Sequence, residues 1–195
     1  PGGIIVDNAS SQFQLVDSGQ PKRLPFFAKE QKKVYKMVFD NVEWTEIITS
    51  TSYGIPVQSA FCKLAGEGNG KAIWTVNVQK AGKYEVFFYH QFLSMTGPPV
   101  SSVFTGSLLH YRICNEVLDE NVVVEADLVP EGWVSLGKFD FSVGEVQVIL
   151  DDRGGNIRMD AEDQNLNVIV SSTEQSLPKQ QLIIADAVKL VRVKE

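Results

Sequence analysis

The sequence has few of the residues that usually carry nucleophilic or transition-metal chemistry. It contains two histidines and two cysteines, and Cys62 and Cys114 lie far apart with no Cys-x-x-Cys spacing. A zinc site is therefore not expected. The two cysteines either meet in one disulfide or stay as separate thiols, which are commonly buried in protein cores.

Long apolar runs and a strong excess of one charge are also missing. Since no run of about 18 apolar residues occurs, no transmembrane segment is predicted. The formal net charge of -6 comes without a basic stripe, so nucleic acid is not an expected partner. The chain begins at Pro1 and not at a Met, which favours a processed product or a piece of a larger protein. Its 195 residues suit one domain with one sizeable core.

Short β-type runs separated by Gly, Pro, Asn and Asp dominate the sequence. Ala72 to Val78 alternates apolar and polar residues, which indicates a half-buried strand with Trp74 in the core. Because no long amphipathic helix lies between the runs, we predict an all-β fold, an antiparallel β-sandwich. Eight strands are predicted, at Ile4–Asp7, Ala72–Val78, Lys83–Gln91, Leu108–Cys114, Asn121–Ala126, Val134–Phe141, Glu145–Asp151 and Leu182–Val193.

Two further features concern the sheets and the loops between them. The run from Tyr84 to His90 is apolar on both faces, which predicts a central strand covered on both sides. Residues 17–41 and 152–181 break the rhythm and are predicted to be loop insertions at the ends of the sandwich. Helix-like spacing of Val34, Met37 and Val38 allows a short helix in the first insertion.

A series of short motifs follows in a fixed order along the chain. They are Val6-Asp7-Asn8 with Phe13, Trp44, Tyr53-Gly54, Ala72-Ile73-Trp74, Ala81 to Val86, Gly132 to Phe141 and Ala185 to Leu190. In these motifs and their order, the chain resembles the golvesin C-terminal domain, also described as the xanthan-lyase carbohydrate-binding-like domain, over most of its length. The resemblance implies a jelly-roll, galactose-binding-like sandwich that serves as a non-catalytic accessory domain in an extracytoplasmic protein.

Catalysis needs a nucleophile, a base or a metal held in a constellation, and the sequence offers none. His90 and His110 both lie in apolar strands and are expected to be structural. An alternative is a Tyr-His pair drawn from Tyr89, His90, His110 and Tyr111, as a polysaccharide lyase would use for proton abstraction. We expect no enzyme activity of this segment, and any lyase activity would lie in another domain of the parent chain.

One pair of carboxylates suggests a metal site. Asp7 in the first strand and Asp186 in the last could approach each other, because these strands commonly neighbour in jelly-rolls. Calcium prefers such oxygen ligands, so a structural calcium ion is a hypothesis. The alternative is that each carboxylate accepts backbone hydrogen bonds and fixes a loop.

Sugar recognition would use aromatic rings with nearby polar side chains. The predicted ligand-binding residues are Trp44, Tyr53, Tyr111, Trp133, Arg153 and Asn156. We expect a site where Trp44 and Tyr53 meet Asp152, Arg153 and Asn156 at one end of the sandwich. For each aromatic residue, packing in the core is the alternative.

Two functions from different classes follow. The first is a module that binds polysaccharide and keeps an attached enzyme near it. The second is a structural or protein-interaction domain that packs against a catalytic neighbour such as a polysaccharide lyase. An exposed apolar patch would favour the second function.

Overall fold

The computed structural model consists almost entirely of β-strands. It describes residues 3–17, 43–54, 58–92, 94–95, 103–105, 108–154 and 180–194. These residues form fourteen strands and one single-turn 3₁₀ helix, Ala126–Leu128. The predicted insertions at 17–41 and 152–181 lie almost wholly outside the described residues, as does the short helix predicted in the first.

The strands are short and follow one another closely. They are β1 (Ile4–Asp7), β2 (Phe13–Val16), β3 (Thr45–Ile48), β4 (Ser59–Leu64), β5 (Lys71–Val78), β6 (Gly82–His90), β7 (Ser94–Met95), β8 (Val103–Thr105), β9 (Leu108–Cys114), β10 (Asp119–Glu125), β11 (Gly132–Phe141), β12 (Gly144–Asp151), β13 (Gln180–Ala185) and β14 (Ala187–Arg192). The predicted strand Leu182–Val193 is thus two strands, which are separated at Asp186.

The strands form three sheets. The first has the order β1-β14-β6-β11, the second β10-β9-β12-β5-β2, and the third β3-β4-β13-β8-β7. Every pairing is antiparallel except that of β13 with β8. Since β13 and β14 follow each other in the chain, one nearly continuous segment passes from the third sheet into the first.

The main core lies between the first and second sheets. Val86 and Phe88 of β6 and Val148 and Leu150 of β12 belong to this core, and all four are almost fully buried. The alternation of buried and more exposed residues along these strands follows from the two-residue period of a strand. The predicted antiparallel β-sandwich is confirmed.

The third sheet carries a smaller apolar cluster on one face. Its members are Ile47, Ala60, Cys62, Leu182 and Ile184. The alternate residues of β13, Ile183 and Ala185, belong to the main core. Strand β13 therefore contributes to both clusters. Cys62 in β4 and Cys114 at the end of β9 form no disulfide and lie in different sheets.

Trp74 connects the second sheet to the point where the last strand changes sheets. Its side chain is 1% exposed, as predicted for a core residue, and its ring lies 5.2 Å from that of Phe13. The indole N–H donates to the carbonyl oxygen of Asp186 at 3.2 Å. A buried tryptophan N–H needs such a partner, so this contact fixes the crossover between β13 and β14 relative to β5.

A β-bulge interrupts the pairing of β11 with β6. Ser135 pairs with Phe87 and Gly137 pairs with Val86, so the intervening Leu136 is the extra residue. Gly137 has a φ of 126°, which a residue with a Cβ rarely adopts. The bulge reverses the alternation of β11, because an extra residue shifts all later side chains to the other face.

The glycine-rich turn between β4 and β5 folds over a buried ion pair. Lys63 Nζ lies 3.1 Å from Asp152 Oδ2, and both side chains are almost fully buried. The N–H of Gly68 donates to the other carboxylate oxygen at 2.6 Å. A Cβ on Gly66 or Gly70 would lie 2.6 Å from Asp152 Oδ2, so both positions require the absence of a side chain.

Replacing Trp74 tests its role at the crossover. We expect Trp74→Phe to lower the free energy of unfolding by roughly 2–4 kcal/mol, because it removes buried atoms and the donor to the Asp186 carbonyl. Urea unfolding followed by circular dichroism measures this change. Val117→Ala, at an exposed turn position, is the control and should stay within about 0.5 kcal/mol of the wild type. Equal unfolding midpoints for Trp74→Phe and wild type would contradict this role.

Candidate functional site

The outer face of the first sheet carries a cluster of aromatic side chains. Trp133 of β11 pairs directly with Tyr89 of β6, and their rings lie 5.3 Å apart. Tyr53, from the turn after β3, places its ring 5.1 Å from Trp133 and 5.5 Å from Tyr89. Phe87 lies two residues before Tyr89 on the same face. We call these four half-buried residues, Tyr53, Phe87, Tyr89 and Trp133, the aromatic platform.

Strand alternation explains why these rings point away from the core. In β6 the residues Tyr84, Val86, Phe88 and His90 are buried, whereas the residues between them are half-buried. β6 lies between β14 and β11, so its predicted central position is confirmed. The prediction that it is covered on both sides is wrong for the described part of the chain, because Phe87 and Tyr89 keep part of their surface exposed.

A lysine lies on the platform. Lys189 of β14 pairs with Phe87 of β6, and its Nζ lies 4.7 Å from the centroid of that ring. The same nitrogen lies 4.2 Å from the ring of Trp133. Both distances are typical of cation–π contacts. Partial burial lowers the pKa of Lys189.

The backbone of Tyr53 is held by a buried carboxylate. Its N–H donates to Asp186 Oδ2 at 3.0 Å, and Gln91 Nε2 donates to the same oxygen at 3.0 Å. The side-chain oxygen of Gln91, Oε1, accepts hydrogen bonds from the hydroxyl groups of Thr49, Thr51 and Ser52 at 3.1, 3.2 and 3.3 Å. The turn that supplies Tyr53 is thus fixed to the sheet at several points.

The structure brings Asp7 and Asp186 near each other, as the sequence predicted. Asp7 pairs with Ala187 across β1 and β14, next to Asp186. Burial raises the pKa of Asp186 to about 7, the Tyr53 N–H opposes this shift, and the charge of Asp7 adds to it. Burial also raises the pKa of Asp7, against hydrogen bonds from the backbone of Asn8 and Ala9. Each carboxylate has a buried Oδ1 without a hydrogen-bond partner among the described residues.

These two orphaned oxygens suit a hard cation. Calcium takes six to eight oxygen ligands, and the described residues contain no group of three acidic, histidine or cysteine side chains that could hold a metal. Backbone carbonyls, amide oxygens or water would have to complete the shell around Asp7 and Asp186. The calcium hypothesis stays a prediction.

The other predicted binding residues lie elsewhere. Trp44 is 8% exposed, and its indole nitrogen is buried with no hydrogen-bond partner among the described residues. Tyr111 is 3% exposed and packs 5.0 Å from Phe88 in the core. Burial raises the pKa of Tyr111, and the charge of Asp186 adds to this shift. Both residues take the core role that was the alternative, and Asn156 lies outside the described residues.

Arg153 lies on the opposite outer face of the sandwich from Tyr53. It forms a bidentate ion pair with Asp151 at the end of β12, with distances of 2.6 to 3.0 Å. It lines an open groove of about 290 Å³ on the second sheet, together with Lys71, Arg112 and Ile149. Among the described residues, Arg153 shows no contact with Trp44 or Tyr53, so their expected meeting is not seen there. The ring of Tyr53 instead contacts that of Trp133, which is another of the predicted ligand-binding residues.

Strand alternation separates the tyrosine from the neighbouring histidine in both β6 and β9, whereas His90 and Tyr111 each pack against Phe88 on the inner side. Tyr89 lies on the outer face of the first sheet, and His90 is buried on the inner side, where burial lowers its pKa. In β9, Tyr111 is buried and His110 lies on the outer side of the second sheet. The four side chains form no common cluster.

Comparisons with known proteins place the fold. No family model matches the chain, and no curated protein matches it, so the golvesin-like resemblance stays a prediction. A xanthan lyase from Paenibacillus superposes with a TM-score of 0.60 at 17% identity, over 99% of this chain. The chain spans only 13% of the length of that lyase. At this identity the match shows a shared β-sandwich fold.

Two further solved structures match less closely. A GH26-CBM35 β-(1,4)-mannanase from Podospora anserina has a TM-score of 0.40 at 10% identity, covering 81% of this chain and 27% of that one. An exo-β-1,3-galactanase from Phanerochaete chrysosporium has a TM-score of 0.43 at 14% identity, covering 98% of this chain and 29% of that one.

No helix in the described residues is long and apolar enough to cross a membrane.

The raised pKa of Asp186 makes stability depend on pH. A carboxyl group with a pKa of about 7 when folded and about 4 when unfolded binds its proton more tightly in the folded state. Its contribution is present below pH 4 and is lost as the pH rises through 7. With EDTA present, the wild type should lose on the order of 2–3 kcal/mol relative to Asp186→Asn between pH 5 and pH 8. Urea unfolding at both pH values measures this, and parallel behaviour of the two proteins would contradict it.

The calcium hypothesis predicts a thermal shift. Calcium at millimolar concentration should raise the melting temperature by several degrees over a sample in EDTA, because a ligand that binds only the folded state stabilises it. Asp7→Asn and Asp186→Asn should each remove this increase. Asp140→Asn, an exposed carboxylate whose ion pair is with Lys83, is the matched control and should respond like the wild type. An unchanged melting temperature of the wild type would exclude a calcium site of useful affinity.

Proposed function

We propose that this domain is a non-catalytic accessory module that binds polysaccharide through the aromatic platform. The observation that carries the proposal is the set of three half-buried rings, Tyr53, Tyr89 and Trp133, within 5.1 to 5.5 Å of one another on the outer face of the first sheet. Sugar rings present apolar C–H faces that pack on aromatic rings, while their hydroxyl groups seek polar partners.

The platform is suited to a polymer because it is rigid and lies on a sheet. Two of its rings come from paired strands, and the third is anchored by the hydrogen bond from the Tyr53 backbone to Asp186. Little side-chain and loop ordering is then needed on binding, which lowers the entropic cost. The tyrosine hydroxyls of Tyr53 and Tyr89 supply polar groups beside the apolar surface.

The binding would act by proximity. A module that holds polysaccharide raises the local substrate concentration for a second site on the same chain. The superposition on 13% of a xanthan lyase supports a role as one part of a larger polypeptide. An extracytoplasmic setting belongs to the same proposal, since that is where polysaccharide is encountered and where golvesin-like domains occur.

One observation favours the second function, a surface that packs on a neighbouring protein domain. Ile5 of β1 is 41% exposed and pairs with Lys189, so it extends the apolar area to the edge of the sheet. Exposed apolar area of this kind also occurs at protein interfaces. The binding experiment below separates the two functions, because only the first requires affinity for sugar.

The platform can be tested by removing its rings. Trp133→Ala and Tyr89→Ala should each weaken binding to a retained polysaccharide by about tenfold or more, because each ring buries apolar surface against the ligand. Affinity electrophoresis across a panel of acidic and neutral polysaccharides, followed by calorimetry, measures the change.

The control removes exposed apolar surface from the other sheet. Val123→Ala, in β10, should bind as the wild type does. Folding of each variant is checked by circular dichroism. If folded Trp133→Ala and Tyr89→Ala keep wild-type affinity, the platform is not the binding surface. If the wild type binds no polysaccharide, the interaction-domain function is favoured instead.

A further inference from the structure

The ammonium group of Lys189 lies over two rings of the aromatic platform. It lies 4.2 Å from the Trp133 ring and 4.7 Å from the Phe87 ring. The stem of the side chain is fixed by the sheet, since Lys189 sits between Ile5 of β1 and Phe87 of β6. The charge is therefore presented on the face that the proposed function assigns to sugar.

No carboxylate neutralises this charge within the described part of the chain. The ion pairs of the described residues join Lys63, Lys83, Arg112 and Arg153 to aspartates, and Lys189 is in none of them. The rings of the platform stabilise the positive charge only weakly, because a cation–π contact at a partly exposed site contributes about 0.5–1 kcal/mol.

Two carboxylates, Glu85 and Asp7, occupy diagonal positions around Lys189 on the same sheet face, and neither forms an ion pair with it. Glu85 is opposite Val191, two residues from Lys189, and its Oε1 accepts the Ser135 hydroxyl at 2.8 Å on the far side of β6. Asp7 is opposite Ala187 and accepts hydrogen bonds from the backbone of its own turn. Among the described residues, the half-buried Lys189 therefore has no carboxylate within ion-pair distance.

We propose that Lys189 makes the platform selective for glycans that carry a carboxylate on the sugar, such as uronic acid residues. This inference rests on the proposed function, since it assigns a ligand class to the same surface. The apolar face of the sugar packs on Trp133 and Tyr89, and its carboxylate accepts a charge-assisted hydrogen bond from the ammonium group. Such a bond is shorter and about twice as strong as a neutral one.

The contact also explains why a lysine is placed among aromatic rings. Partial burial lowers the pKa of Lys189, since it disfavours the charged form, and a carboxylate beside the ammonium group would favour the charged form again. Charge complementarity of this kind gives specificity more than affinity.

The test uses acidic polysaccharides and their carboxyl-reduced forms, which share a backbone and differ in carrying a neutral hydroxymethyl group in place of each carboxylate. Polygalacturonate, alginate, hyaluronan and xanthan are titrated with the wild type, each beside its reduced form. We expect at least one acidic polymer to bind about tenfold more tightly than its reduced form. Lys189→Met should abolish that difference, and Lys189→Arg should keep it.

A matched control separates the local effect from the general effect of removing a positive charge. Lys80→Met removes an exposed lysine in the turn before β6, at the opposite end of that strand from Tyr89, and should retain the preference. Equal affinity of the wild type for acidic and reduced polymers overturns the inference while the proposed function stands. The same holds if Lys189→Met weakens both forms equally. Failure of the wild type to bind any polymer of the wider panel, neutral or acidic, overturns the proposed function and the inference with it.

Discussion

The hydrogen bonds around Asp186 hold the three sheets in one arrangement. Its carbonyl oxygen accepts the indole N–H of Trp74 from the second sheet, and its carboxylate accepts the backbone N–H of Tyr53 and the amide of Gln91. The residue itself joins β13 of the third sheet to β14 of the first. Asp186 is 2% exposed, and burial of its carboxyl group at this junction raises its pKa to about 7. The position of the Tyr53 ring on the platform depends directly on this arrangement.

The core and the candidate binding surface are two faces of the same strands. In β6, Phe88 packs in the core between Phe87 and Tyr89, which face outward. A change that slides β6 by one residue would exchange these roles completely, because the side-chain period of a strand is two. The long antiparallel pairing with β11 and the pairing with β14 on the other side therefore fix the binding surface as well as the core.

Much of the sandwich could be predicted from the sequence, because β-branched and aromatic residues concentrate in β1, β5, β6, β9, β10, β11 and β12. The strands that were not predicted include β4, where the buried Lys63 interrupts the apolar pattern and forms an ion pair with Asp152, which lies far along the chain. Tyr53 and Trp133 were among the predicted binding residues, but their contact joins positions 80 residues apart and depends on sheet order. Phe87 and Tyr89 were not predicted to line a binding surface, because the run from Tyr84 to His90 is apolar on both faces and such a run predicts burial on both sides of a strand.

The bulge in β11 has a consequence for how this chain tolerates changes in length. Trp133, Phe139 and Phe141 all occupy odd positions, yet Trp133 lies on the outer face, whereas Phe139 packs against the main core and Phe141 is buried within it. A regular strand would place all three on one face, so the extra residue before Gly137 is what divides them. Loss of a single residue at this point would leave the composition of the strand almost unchanged and still turn one group of rings to the wrong side. In this strand the count of residues, as much as their identity, determines which aromatic rings are available to solvent.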